Sequence, residues 1–231
     1  MKTTRTNPEI EIIFEDNHLL VVNKPEGLLS QEDHTGDPDI LTLCRKYIKK
    51  EYKKPGNVFL GLLHRLDRPV SGVMMLAKTS KAASRISEQI RRRTIKKKYL
   101  AVVTGNPPPN GYLTHYLLKD EKTNTVRVVE PNIKHAQDAK LMFQRVETVG
   151  DLHLLKVSLI TGRPHQIRVQ LSEEGYPILG DQKYGESNRS TPALHAFSLE
   201  LEHPTLKKEI IFSAKPPQIN PWSKFSIKTY S

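Results

Sequence analysis

Apolar positions in the first third of the chain come in short runs broken by turn residues. IEIIFED (10–16) and HLLVVNKP (18–25) are rich in Ile, Leu and Val and stop at Asp-Asn and Lys-Pro, so each predicts a strand. VFLGLLH (58–64) and GVMMLAK (72–78) are apolar at successive rather than alternate positions, the pattern of central strands covered on both faces. Between those two runs lies a turn that contains Asp67, sharpened by Pro69 and Gly72. Two helices punctuate this part. One runs from Asp39 to about Tyr52, with Leu41, Cys44 and Ile48 on one face, and is ended by basic residues and Pro55. The other starts at Ser80, with Ala83, Ile86 and Ile90 as its apolar stripe and Thr79 and Ser80 as candidate caps.

Further on the β pattern dominates. TIKKKYLAVVTG (94–105) reads as a strand, and PPPNG (107–111) as a hairpin loop into YLTHYLLKD (112–120). TVRVVE, AKLMFQRVET and LHLLKVSLI continue it. The last sets Leu155, Val157 and Leu159 on one face and Lys156 and Ser158 on the other. Pro164 predicts the first position of a third helix that Gly175 closes, and LHAFSLEL (194–201) and KEIIFSAKP (208–216) predict the closing strands. No fixed-period repeat and no Gly/Ser linker divides the chain. The whole predicts one α+β domain over 1–231, a largely antiparallel mixed sheet in two lobes with flanking helices.

Composition narrows the class. With 37% apolar and 26% charged residues the chain has neither the low hydrophobicity nor the one-signed charge of a disordered protein. No uncharged apolar run approaches the roughly 18 residues of a membrane helix, and the N-terminus lacks the apolar core of a secretory signal. The expected compartment is the cytoplasm. Cys44 is the only cysteine, so it has no internal disulfide partner, and its helical face predicts a core position. Nine histidines occur without C-x-x-C, H-E-x-x-H or another compact ligand cluster, and no metal is expected. A net charge of +11 favours a polyanionic partner, because Lys and Arg neutralise phosphates.

Three segments carry candidate chemistry, each with a bland alternative. HRLDRPVSG (64–72) places Asp67 between two guanidinium groups, either as a turn residue bonding its own backbone or as a reactive carboxylate. A carboxylate beside buried strands needs a cation to stay charged. TGRPHQIR (161–168) offers Arg163, just ahead of a helix start that itself favours negative charge. His165 and Arg168 are three apart and share a helix face, where they either contact phosphate or base or simply decorate a surface helix. RRRTIKKKYL (91–100) is either a solvated helix end or a phosphate-tracking stripe that ends at Tyr99.

Taken together the chain closely resembles the RluA-type pseudouridine synthase family. The resemblance rests on VVNKPEGL (21–28), HRLDRPVSGVMMLAKT (64–79), KKYLAVVTG (97–105), TGRPHQIRVQL (161–171), GDQKYG (180–185) and LHAFSLELEHP (194–204), in the family's order. It implies the pseudouridine synthase fold and an enzyme that converts uridine in rRNA or tRNA to pseudouridine without a cofactor. Asp67 matches the essential aspartate, Tyr99 the active-site tyrosine that stacks on the target base, and Arg163 the arginine that pairs with the aspartate. Arg65 matches a position associated with displacing the base from its stack. His64, His165 and His195 fall on motif positions as supporting or substrate-contacting residues. Pro69, Val70, Pro164, Gln170 and Leu201 depart from residues frequent in relatives; none removes a proposed catalytic group, but they blur which RNA is modified. The NKP motif lies too near the start to leave room for the small N-terminal RNA-binding S4 domain that many relatives carry. A monomer is expected. The competing readings are a non-catalytic RNA-binding or ribosome-assembly factor on the same fold and, more remotely, a metal-dependent nuclease.

Overall fold

The computed structural model describes residues 6–7, 10–185 and 191–227; the first residues of the segment read for a secretory signal lie outside these. The strands and helices follow in the order β1 (Thr6–Asn7), β2 (Ile10–Glu15), β3 (Leu19–Lys24), α1 (Ile40–Glu51), β4 (Gly61–Leu62), β5 (Ser71–Ala77), α2 (Ser80–Arg91), β6 (Lys96–Val103), β7 (Asn110–Asp120), β8 (Thr125–Val129), β9 (Gln137–Val149), β10 (Leu152–Leu159), α3 (Gln166–Glu173), β11 (Leu194–Glu202) and β12 (Glu209–Ser213). A 3-10 turn spans Trp222–Lys224. The α+β class is as expected. The chain forms two compact units, one of residues 1–96 with 196–214, the other of 97–195 with 215–231.

In the first unit the strands run β1-β2-β3-β5-β11, with β4 also on β5 and β12 on β11. The pairings β1–β2, β2–β3, β3–β5, β4–β5 and β11–β12 are antiparallel. Every residue of β5 is buried, as its unbroken apolar run predicts. VFLGLLH is different: only Gly61 and Leu62 pair, and Phe59 is 52% exposed. A run of apolar residues there is not a central strand, so Asp67 lies in a loop leading into β5 and not between two buried strands. Both helices form where their caps stand. Asp39 accepts the amide of Thr42 at 2.9 Å and Thr79 that of Ala82 at 3.2 Å. Cys44 is fully buried with Leu41 and Ile48, and burial pushes its thiol up to about 12. Ile86 joins Leu19, Val21, Val73, Met75 and Leu199 in one core. Arg85 donates to the Pro204 carbonyl at 2.7 Å and Gln89 exchanges two bonds with the Glu202 backbone, which fastens α2 to the end of β11.

Gly72 sits inside β5, paired with Lys24, and not in the preceding turn. Its φ is +121°, and a Cβ there would come within 2.2 Å of the Ala196 carbonyl oxygen. Only glycine lets β11 approach so closely.

In the second unit the order is β6-β10-β9-β7-β8, each pairing antiparallel. β6 and β7 are therefore not neighbours. PPPNG is a crossover past β10 and β9, not a hairpin turn, because its proline run cannot supply the paired amides of a tight hairpin. From Leu155 to Ser158 β10 keeps the predicted alternation, with Leu155 and Val157 fully buried and Lys156 and Ser158 not, while Leu159, expected on the buried face, is only half-buried. α3 starts at Gln166, two residues after Pro164, because His165 adopts a left-handed conformation (φ 51°) at the N-cap. It packs Val169 against Leu117, Val126 and Ala139.

Candidate active site

The loop 64–70 alternates exposed and buried residues. Leu66 and Val70 are buried, Arg65 and Arg68 exposed, and Asp67 half-buried between them. The loop is tied down through its backbone. Ser30 Oγ donates to the Leu66 carbonyl at 2.6 Å and accepts the Leu66 amide at 3.0 Å. The Val70 amide closes a turn on the Asp67 carbonyl at 2.9 Å. Arg68 donates from Nε to the Gly27 carbonyl at 3.0 Å, and its own carbonyl accepts the Gly27 amide at 2.9 Å. Its ion pair with Asp37, 2.7 Å long, is exposed and contributes little. His64 Nε2 accepts the Met75 amide at 3.0 Å, so in its neutral form the ring carries its proton on Nδ1. His64 thus serves β5 as an acceptor, a supporting place for a residue read as a substrate contact.

Sequence reading missed Lys24. It ends the apolar run LLVVNK, yet it is fully buried, and its ammonium donates to the carbonyls of Pro25 (2.9 Å), Leu28 (2.7 Å) and Arg68 (3.2 Å). Burial lowers its pKa to about 8, with Arg68 acting the same way and the carboxylates of Asp67 and Glu26 opposing. Within its own unit Asp67 thus interacts electrostatically with a lysine from the NKP segment. A lysine closing an apolar strand just before a proline was the available signal.

In the second unit Tyr99 lies in β6 opposite Val157 and is 8% exposed. Lys97, two residues earlier, shares its face, and burial lowers its pKa. The TGR segment is laced to β9. Thr161 Oγ1 accepts the Lys140 amide at 2.7 Å and donates to Gln166 Oε1 at 2.8 Å. The same oxygen accepts the Arg163 amide at 3.0 Å, and Gln166 Nε2 donates to the Lys140 carbonyl at 3.1 Å. Arg163 itself donates to the Asp138 carbonyl at 2.9 Å and to its carboxylate at 2.6 Å. It also stands in the wall of a cavity of about 370 Å³ with Lys119, His135 and Pro164.

His165 and Arg168 do share one side of α3, and both meet Tyr184. His165 Nδ1 bonds the Tyr184 hydroxyl, and the Arg168 guanidinium lies 5.1 Å from the Tyr184 ring centroid. Arg168 is buried and grips Asp181 with two bonds of 2.7 Å, while Asp181 also accepts the amides of Lys183 and Tyr184. The charge-assisted bonds of Arg168, read from the sequence as a residue that contacts phosphate or base, organise GDQKYG inside the fold. His195 is fully buried edge-on to Trp222, a packing position. Gln170 is also fully buried and donates to the Ala139 carbonyl at 3.1 Å. Among the described residues no group of three His, Cys, Asp or Glu is placed to hold a metal, and no helix is long and apolar enough to cross a membrane.

Asp67, Arg65 and His64 belong to the first unit, and Tyr99, Arg163, His165 and Arg168 to the second. Comparison with known proteins spans both. The family profile described as RNA pseudouridylate synthase matches residues 18–173. The ribosomal large subunit pseudouridine synthase C of Haemophilus influenzae is 33% identical over 216 residues, covering 89% of this chain and 65% of that protein. The ribosomal large subunit pseudouridine synthase D of Zymomonas mobilis is 30% identical over 222 residues, covering 90% and 70%. The chain thus spans about two thirds of these relatives' length. Among solved structures, human RNA pseudouridylate synthase domain containing 4 superposes with a TM-score of 0.75 at 28% identity over 90% of this chain and 88% of that one.

Proposed function

The chain belongs to the RNA pseudouridylate synthase family, of the RluA type, and from that premise we propose that it isomerises uridine to pseudouridine in large-subunit ribosomal RNA. The observation that carries the reading is that one family match, residues 18–173, takes in Asp67, Tyr99 and Arg163 together. The names of the relatives favour ribosomal RNA over transfer RNA.

In this reaction the N1–C1′ bond breaks, the uracil turns, and C5 bonds to C1′; the proton lost from C5 is balanced by one gained at N1. The carboxylate of Asp67 assists at C1′, as nucleophile or as the anion that steadies developing positive charge. Tyr99, nearly buried in β6, stacks on the base and serves proton transfer. Arg163 keeps the role that the resemblance implies for it, and its bonds to Asp138 give it a fixed starting geometry. Arg65, exposed beside Asp67, enters the space left by the target base and offsets an unstacking cost of a few kcal/mol. The enzyme works as a cytoplasmic monomer, with residues 1–231 acting as one catalytic domain.

RNA carrying tritium at uridine C5 tests this directly. Wild-type protein releases tritium to water from ribosomal RNA, and Asp67→Ala lowers the rate by about a thousandfold or more, the scale expected when a group acting at the reacting carbon is removed. Release undiminished by Asp67→Ala would overturn the assignment of that residue, and no release from any RNA would overturn the activity.

A further inference from the structure

One face of the second unit's sheet carries chemistry that the proposed reaction does not use. Lys98 stands opposite Ser158, Ser158 opposite Met142, and Met142 opposite Tyr112. In the next row Lys156 faces Gln144, and Gln144 faces Asn110. Residues directly opposite, or two apart on one strand, share a face, so these seven side chains form one surface across β6, β10, β9 and β7. Tyr99 is the immediate neighbour of Lys98 and so points to the other side of the sheet. The surface is concave, with a cavity of about 620 Å³. Tyr112 is 57% and Met142 47% exposed there.

We propose that this face is a second RNA contact, on which a single-stranded segment of the substrate stacks a base on Tyr112 and lays its phosphates along Lys98 and Lys156. The proposal rests on the reading that the chain acts on RNA. Its chemistry decides the occupant. An open sheet face with an exposed aromatic ring and flanking cations is what unpaired bases require, since any base stacks and the backbone needs only positive charge. Asn110, Gln144 and Ser158 add donors and acceptors for base edges. Tyr112 and Met142 are the exposed apolar groups among two lysines and three neutral polar residues, too little for a protein partner's core, where lysine is depleted. The row from Lys98 to Tyr112 crosses four strands, about 14 Å, which spans more than one nucleotide. Burial, and secondarily the charge of Lys98, lower the pKa of Lys156, so an approaching phosphate relieves a repulsion already present.

The test uses the full chain and a fluorescently labelled, unstructured twelve-nucleotide RNA, with affinity read by anisotropy over a salt series. Lys98→Ala/Lys156→Ala weakens binding by about tenfold at low salt and makes the slope of log affinity against log salt shallower by about 1.4, the value for two phosphate contacts on a single strand. Tyr112→Ala weakens it by about tenfold with the slope unchanged. Tritium release from ribosomal RNA keeps its kcat in both variants while KM rises. Wild-type affinity and slope in the double variant would overturn the proposal. So would a concentration-dependent dimer that Tyr112→Ala abolishes, which would assign the face to a second copy. If the wild-type protein released no tritium from any RNA, the proposed activity would fall, while the oligonucleotide comparison would still decide the surface.

Discussion

Arg168 and Lys24 show how differently two cations of one basic chain are used. Arg168 is spent inside the fold on Asp181, and Asp181 in turn gathers the amides of the following loop. Replacing the arginine with leucine leaves a buried carboxylate without its partner, and denaturant unfolding should show a loss of about 3–5 kcal/mol. Lys24 has the opposite economy, a charge held by three carbonyls at a burial that disfavours it. Its pKa is depressed in the folded chain to about 8, whereas the unfolded lysine keeps its proton to about 10.4. Between those values the unfolded state binds more protons, so the contribution of Lys24 to stability rises with pH. Unfolding measured from pH 7 to 10.5 should therefore show wild type gaining on Lys24→Met by as much as about 3 kcal/mol, most of it above pH 8. Neither environment was visible in the residue string. A cation's burial depends on strands that meet from elsewhere, and a basic composition points every Lys and Arg toward RNA.

At the scale of elements, what is local in origin was legible and what depends on neighbours was not. α1 forms where its start, apolar stripe and stop signal agree within a dozen residues, and α2 where cap and apolar stripe agree. β10 alternates as read because one of its faces is core. VFLGLLH misled because a continuous apolar run does not say how many strands flank it, and here β5 takes only two of its residues. PPPNG misled for a related reason, since two strands joined by a short loop are paired only if no other strand enters between them. The motif around Asp67 was legible as chemistry, but its supports, Ser30, Gly27 and Lys24, come from another segment. Gly72 is the sharpest case: it reads as turn punctuation and acts as the contact point of β5 with β11. Gly72→Ala meets both a left-handed φ and the Ala196 backbone, and should destabilise the protein by at least about 3 kcal/mol in thermal or denaturant unfolding, with tritium release falling in step with the folded fraction.

The whole molecule carries a net charge of +11, which draws polyanions from a distance but leaves the choice among them to local surfaces. Its first unit is closed by a segment that arrives late, residues 196–214, after about a hundred residues of the second unit. β11 and β12 complete the core around Val73, Met75 and Ile86. During synthesis, at about 5–20 residues per second, the strands β2, β3 and β5 leave the ribosome with an apolar edge still waiting. A chain halted at residue 190 should therefore be cleaved by protease throughout residues 10–95, and one extended to 227 should be protected there. The polypeptide thus carries its own timing: the aspartate loop is translated early but acquires its settled surroundings only once residues 196–214 have been made.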